Sequence, residues 1–182
     1  VIDLKNYRAV EKLKDDTPVI VRAIRLDDRE RVIAAFKGLD PDSIYTRFFT
    51  YKNRLTDAEL EQTTNVDFDR VVALVVTTPA SDGEKLIGGG RFAMGDGPIV
   101  YRSAELAFLT SDQYRGRGMA GLILRHLAVI GRELGVLQFE ALVLAQNKAM
   151  LSVFRGSGLP MTIRPEGAVM NVTLSLDANR SC

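Results

Sequence analysis

The sequence predicts an α/β domain with a mixed sheet and helices on its faces. Two features carry this: closely spaced strand runs joined by turn signals in the first part of the chain, and a strand–helix–strand crossover toward its end. At 182 residues, 46% apolar and 26% charged, the chain has the size and composition of one domain with a sizeable core.

Residues 1–17 are polar and end in Asp15-Asp16-Thr17-Pro18; they read as a partly helical N-terminal arm to a domain over 18–182. Val19 to Arg25 is β-branched and reads as a strand. Asp27 and Glu30 have capping-box spacing and open a helix that runs to Lys37, before Gly38. Thr56 and Glu59 repeat the box and open a helix to Thr63. Arg70 to Thr77 is an unbroken apolar run, Ala80-Ser81-Asp82-Gly83 a turn, and Lys85 to Ala93 the partner strand. Gly88, Gly89 and Gly90 in that partner predict a bulge or a close approach. After a second turn at Gly95-Asp96-Gly97-Pro98, residues 102–109 form a third central strand. Leu122, Ile123, Leu127, Ile130 and Leu134 recur at helical spacing from Met119 to Leu134, and Gly135 ends that helix. Gln138 to Leu144 is a strand. Asn147 caps a helix over 148–156, and Met170 to Leu176 alternates as the last strand.

The balance of 24 Lys+Arg against 23 Asp+Glu argues against broad capture of nucleic acid or membrane. No apolar run reaches the roughly 18 residues of a membrane span. One cysteine, Cys182, forms no internal disulfide, which fits a reducing, cytoplasmic setting, and one Cys with one His builds no metal cluster. The oligomeric state is not legible.

The stretch Thr110 to Ala120, T-S-D-Q-Y-R-G-R-G-M-A, lies between a strand and the periodic helix. Its core is Gln113-x-x-Gly116-x-Gly118. Glycines at such a junction let the backbone approach a ligand, and the free N–H groups and dipole of the helix start favour an anion such as a pyrophosphate. Arg115 and Arg117 add positive charge. The bland alternative is a tight turn with exposed arginines. A Rossmann loop is a worse fit by glycine spacing and by the late position, and a Walker loop fails for want of Gly-Lys-Ser/Thr.

This motif, in this strand–helix order, resembles the acyl-CoA pyrophosphate signature of the GNAT superfamily of N-acetyltransferases. The resemblance runs from Val19 to Leu176 and includes the segment from Asn147 to Leu159. It implies a GNAT-type acyl-CoA N-acyltransferase fold: a mixed, mostly antiparallel sheet with helices on both faces, splayed after the third central strand. It implies acetyl-CoA as co-substrate, no metal, and direct transfer of acetyl to a primary amine. The main chain of Phe108, Leu109 and Thr110 would meet the pantetheine arm. Gln113, Arg115, Gly116, Arg117, Gly118, Met119 and Ala120 would meet the pyrophosphate, and Asn147 the cofactor or only its own helix.

Ser43-Ile44-Tyr45-Thr46-Arg47-Phe48-Phe49 and Ala104-Glu105-Leu106-Ala107 resemble the corresponding runs of bacterial Pat-type protein-lysine acetyltransferases. The likeness makes Glu105 the general base. Pat-type domains are often fused to a synthetase-like or cyclic-nucleotide-binding region, and no such region falls within these residues. A carboxylate among Ala, Leu and Phe is costly unless paired, hydrated or used; the structural alternative for Glu105 is an ion pair with Arg91 or Arg102. Phe154 stands where many GNAT enzymes carry a tyrosine acid and has no proton to give. His126 is expected to be structural, and Phe48 and Phe49 to be core or to line the acceptor entrance. Asp57, Glu59, Glu61, Asp67 and Asp69 form an acidic stretch without Lys or Arg: either a solvated face or a negative rim for a cationic acceptor, a protein lysine or a small cationic amine. A non-catalytic acyl-CoA sensor is the alternative function, and a nucleic-acid-binding module the more distant one.

Overall fold

The computed structural model describes residues 1–48, 52–95 and 102–177; of Thr46 and Phe48 only the backbone is described. An eight-stranded sheet has the order β1-β2-β3-β4-β5-β6-β8-β7. The strands are β1 (Arg8–Lys12), β2 (Pro18–Ala23), β3 (Val71–Ala80), β4 (Gly83–Met94), β5 (Ser103–Thr110), β6 (Gln138–Leu144), β7 (Met161–Glu166) and β8 (Val169–Ser175). The helices are α1 (Arg29–Lys37), α2 (Pro41–Phe48), α3 (Asp57–Thr64), α4 (Met119–Glu133) and α5 (Lys148–Gly156). All pairings are antiparallel except β5 with β6.

The predicted fold class holds, with three additions. Within 1–17 the ordered element is strand β1, not a helix, and it pairs with β2. Helix α2 and edge strand β7 are the other two. The Asp27–Glu30 capping box does not form, because α1 starts one residue later, with Asp28 at its N-cap position turned inward. Asp28 instead accepts the Arg25 N–H at 2.8 Å and both guanidinium nitrogens of buried Arg22 at 2.7 and 2.8 Å. The second capping box does form, with Thr56 and Glu59 exchanging N–H bonds at 2.8 and 3.2 Å. Residues 96–98 of the second turn, Phe49 and the side chain of Phe48 lie outside the described residues.

The larger core lies on the face covered by α4 and α5. Ile123, Leu127 and Ile130 of α4 pack with Val72, Leu74, Ile87, Phe92 and Phe139. Each such side chain contributes about 1.5–3 kcal/mol by leaving water. The glycines of β4 make this contact possible: a Cβ on Gly90 would lie 2.6 Å from Ile123, and one on Gly88 would collide with Met119. The register also slips between Val76 and Thr77, opposite these glycines, so both the bulge and the close approach occur. The other face has a smaller cluster, Ile24, Ala73, Val75 and Leu86, under Val32 and Ala35 of α1.

Candidate active site

Strands β5 and β6 are paired only over Ser103–Glu105 and Gln138–Glu140. Beyond that rung they part, and β5 continues against β4 alone. The Ser111 N–H donates to the Ile87 carbonyl at 2.9 Å. Antiparallel alternation from that bond turns the main-chain groups of Leu109 toward β4, and those of Leu106, Phe108 and Thr110 into the gap. Of the expected main-chain contacts, those of Phe108 and Thr110 face the opening, while Leu109 offers its side chain to a neighbouring cavity.

At the end of β5, Asp112–Tyr114 form one 3-10 turn that leaves Gln113 exposed. Gly116 and Gly118 then take φ of 73° and 82°, a region that favours glycine. Gly118 is the left-handed residue from which α4 starts. The N–H groups from Gly116 to Gly121 have no partner among the described residues, while Leu122 already donates to the Gly118 carbonyl. A row of free amides at a helix start is a fit for a pyrophosphate. Met119 is buried and Ala120 half-buried.

The two arginines of the motif are engaged within the protein. Arg115 pairs with Asp112 at 2.6 Å and Asp40 at 3.1 Å. Arg117 pairs with Asp15 at 3.2 Å and lies over the Tyr114 ring at 4.9 Å. Asp112 also accepts the Asp40 N–H and the Ser43 hydroxyl at 2.7 and 2.9 Å, fastening the loop to the start of α2. Reading the motif for phosphate contacts missed this role; the sequence signal was Asp40-Pro41, a cap residue before a first-turn proline.

A cavity of about 90 Å³ lies where the strands part, lined by Glu105, Phe108, Asn147 and Phe154 among others. Asn147 caps α5 by accepting the Met150 N–H at 3.2 Å. Phe154 is buried, its ring centroid 6.2 Å from that of Phe108. Glu105 is exposed and sits on the last paired rung, opposite Glu140. The ion pair with Arg91 or Arg102 does not form among the described residues, although Arg91 and Arg47 both feel the Glu105 charge. Burial, more than any neighbour, holds both arginines below their ordinary pKa.

A second cavity of about 310 Å³ adjoins the first at Arg47, Ala107 and Phe108, and opens between α1, α3 and the sheet. Its wall is largely apolar, including Val32, Phe36, Leu39 and Leu55. The expected negative rim does not assemble there. Asp57 pairs with Arg29 at 2.5 Å, Glu59 with Lys52, and Glu61 accepts from Asn65 at 2.8 Å. Asp67 accepts the N–H groups of Asp69, Arg70 and Val71. Only Glu59 of that stretch lines the cavity.

His126 is structural as expected. It is buried, with Nδ1 2.5 Å from the Tyr7 hydroxyl and Nε2 2.9 Å from Glu11, so it ties the N-terminal segment to α4. Burial holds its pKa below the ordinary histidine value, against the opposing pull of Glu11.

A splayed parallel pair, a glycine loop at a helix start and two adjoining cavities define an acyl-CoA-dependent transferase. The model of the acetyltransferase (GNAT) domain matches residues 19–159. The chain belongs to the GNAT family and is an acetyl-CoA-dependent N-acetyltransferase. It is 31% identical over 142 residues to acetyltransferase PA5475 of Pseudomonas aeruginosa, covering 78% of this chain and 74% of that protein. It is 29% identical over 150 residues to acetyltransferase Pat of Mycolicibacterium smegmatis, covering 82% of this chain but 44% of that longer protein. The solved GNAT domain of S. lividans PAT superposes with a TM-score of 0.84 at 31% identity, covering 92% of this chain and 96% of that one. The fold is also shared with yncA of Salmonella typhimurium, solved with acetyl-CoA, at a TM-score of 0.68 and 16% identity over 90% of this chain and 99% of that one.

Proposed function

We propose that the amine acceptor enters through the larger cavity and that Glu105 is the general base of the transfer. The observation that carries this reading is the position of Glu105 at the last β5–β6 rung, on the smaller cavity that adjoins the larger one. The main chain of Phe108 and Thr110 lies along the open strand edge and suits the amides of the pantetheine arm. The amides of Gly116 to Gly121 suit the pyrophosphate. Glu105 takes a proton from the acceptor ammonium, directly or through one water. The freed amine nitrogen bonds to the thioester carbonyl carbon, the carbon–sulfur bond breaks, and coenzyme A leaves as the thiolate. The nitrogen sheds its second proton to water as the amide forms, and because Phe154 has no proton to give, the thiolate takes its proton from water.

The acceptor is a primary amine. A lysine side chain on a protein is the reading supported by the Pat-like runs around Arg47 and Glu105, with a small-molecule amine as the other source. A cytoplasmic location accompanies this reading; no described helix is long and apolar enough to cross a membrane.

Glu105→Gln keeps the shape and removes the proton acceptor. Loss of a general base costs about 10²–10⁴ in rate. The expected result is a fall of that size in kcat with acetyl-CoA affinity unchanged, read by thiol release with lysine peptides and small amines. Unaltered turnover from neutral to alkaline pH would place the base elsewhere.

A further inference from the structure

Arg91 is the residue that the reaction as described leaves without a task. It points from β4 into the larger cavity, opposite Ala107 in the β4–β5 register. Its side chain is half-buried, and no hydrogen bond or ion pair to it is found among the described residues. The cavity around it is largely apolar. The one carboxylate on that wall, Glu59, is already held by Lys52 and by the Thr56 N–H. Arg47 lines the same space and adds a second positive charge.

Glu105 acts on Arg91 only at a distance. A guanidinium partly withdrawn from water without a directly bonded counter-ion is unfavourable, and a site tolerates it where a ligand completes the pair. The guanidinium fork matches a carboxylate, which it binds through two parallel hydrogen bonds. Glu105 pairs with Ala93, two residues along β4 from Arg91, so Arg91 and Glu105 are diagonal neighbours on one face of the sheet. The backbones of diagonal neighbours are about 7–8 Å apart, so one small acceptor can meet both side chains.

We propose that the acceptor carries a carboxylate near its reactive amine and that Arg91 binds that carboxylate. This rests on the larger cavity being the acceptor side. Two sources share the chemistry: the carboxylate of a free amino acid, and an acidic side chain beside a lysine in a peptide. The acidic stretch gives the opposite expectation; its Asp57 and Glu59 are paired within the fold, and Asp67 accepts backbone N–H groups.

The test uses matched acceptors with acetyl-CoA: free amino acids against their amides, and lysine peptides with Asp against Asn beside the lysine. Thiol release gives kcat/KM, and calorimetry on the protein loaded with coenzyme A gives binding of the same pairs. The parent should prefer the carboxylate member of one set by at least about tenfold, the scale of a charged hydrogen bond. The set that shows the preference identifies the source. Arg91→Met should bring the ratio close to one through acceptor KM and leave acetyl-CoA affinity in place. Arg91→Lys, which keeps the charge and loses the fork, should fall between, and it serves as the reading if Arg91→Met does not fold. No preference in either set, or a preference that survives in Arg91→Met, overturns the inference. Charge-selective binding without any turnover would sink the Glu105 mechanism and leave the Arg91 site standing.

Discussion

The two faces of the sheet are built from different interactions. The face under α4 and α5 is held by apolar packing, with Ile123, Leu127 and Ile130 almost wholly removed from water. The face under α1 to α3 has a small apolar cluster and relies on charge: Arg22 is buried between Asp28 and Glu84, and Arg25 and Arg31 lean on the same acids. The glycine loop leads into α4 on the first face, and the larger cavity lies on the second. The first face is therefore fixed mainly by shape, and the second also by ion pairs whose worth depends on pH and partner.

The largest expected effect tests that contrast directly. Asp28→Ala removes one partner of a buried pair and should cost about 3–5 kcal/mol, read from urea unfolding at neutral pH. Leu127→Ala, on the other face, should cost about 2–5 kcal/mol. The two should diverge in acid. Burial alone would raise the Asp28 carboxyl, but the Arg22 guanidinium and the Arg25 N–H more than offset it and hold it below the ordinary value. A carboxyl depressed in the folded state stabilises the protein above its unfolded pKa, and that stability is lost as pH falls through the folded one. The cost of Asp28→Ala should shrink below about pH 4, the ordinary aspartate value, while that of Leu127→Ala persists. Equal fading of both would break the comparison.

Gly118→Val sharpens it on the cofactor side. A branched residue at φ 82° is strained, and its Cβ would lie 2.9 Å from the Lys14 side chain. Backbone strain of this kind costs about 1–3 kcal/mol. Acetyl-CoA affinity should fall at least about tenfold, or ~1.4 kcal/mol, in a calorimetric titration, with the far-UV spectrum of the fold retained. Parent-like affinity would remove the loop from the phosphate site.

The smallest effect is at His126. Tyr7→Phe deletes the hydrogen bond to Nδ1 and should cost about 1 kcal/mol in chemical denaturation. Because burial depresses the His126 pKa, the folded state resists its protonation. Its contribution is full above the unfolded value of about 6.5 and declines as pH drops toward the folded one. Stability of the parent should therefore begin to fall below about pH 6.5, and less so in His126→Gln.

The same contrast explains what was legible in the sequence. Helix α4, strand β6 and helix α5 were predicted to within a residue, because apolar periodicity records which face meets the core. The glycine loop before α4 was legible as a turn, and Gly116 and Gly118 do take positive φ; its cofactor role belongs to the proposed function. Strand β1 was not, since an edge strand with alternating exposed and half-buried residues has no core face to write into its pattern. Strand β7 carries Pro165, which argues against a strand except at an edge, where it lies. On the charged face the residue types were visible and their partners were not. Asp28 sits beside a plausible cap at Asp27, and only the fold reveals that Arg22 claims it. Arg91 looked like a mate for Glu105, and the strand register sets the two apart.

The strand order has a consequence for how the chain acquires its site. Strands β1 to β5 lie in the sheet in the order in which they occur in the chain, while β6, β8 and β7 form a second sequential group at the other edge. The β3–β4 and β7–β8 hairpins join neighbours in the chain and close quickly, whereas the β2–β3 pairing and the parallel β5–β6 seam each need a long connection through helices. Pulse-labelled hydrogen exchange during refolding should accordingly protect the amides of β3 and β4 before the three-residue seam forms. On the proposed reading the acetyl-CoA groove lies at this seam, and its assembly is expected to follow the hairpins rather than to nucleate the fold.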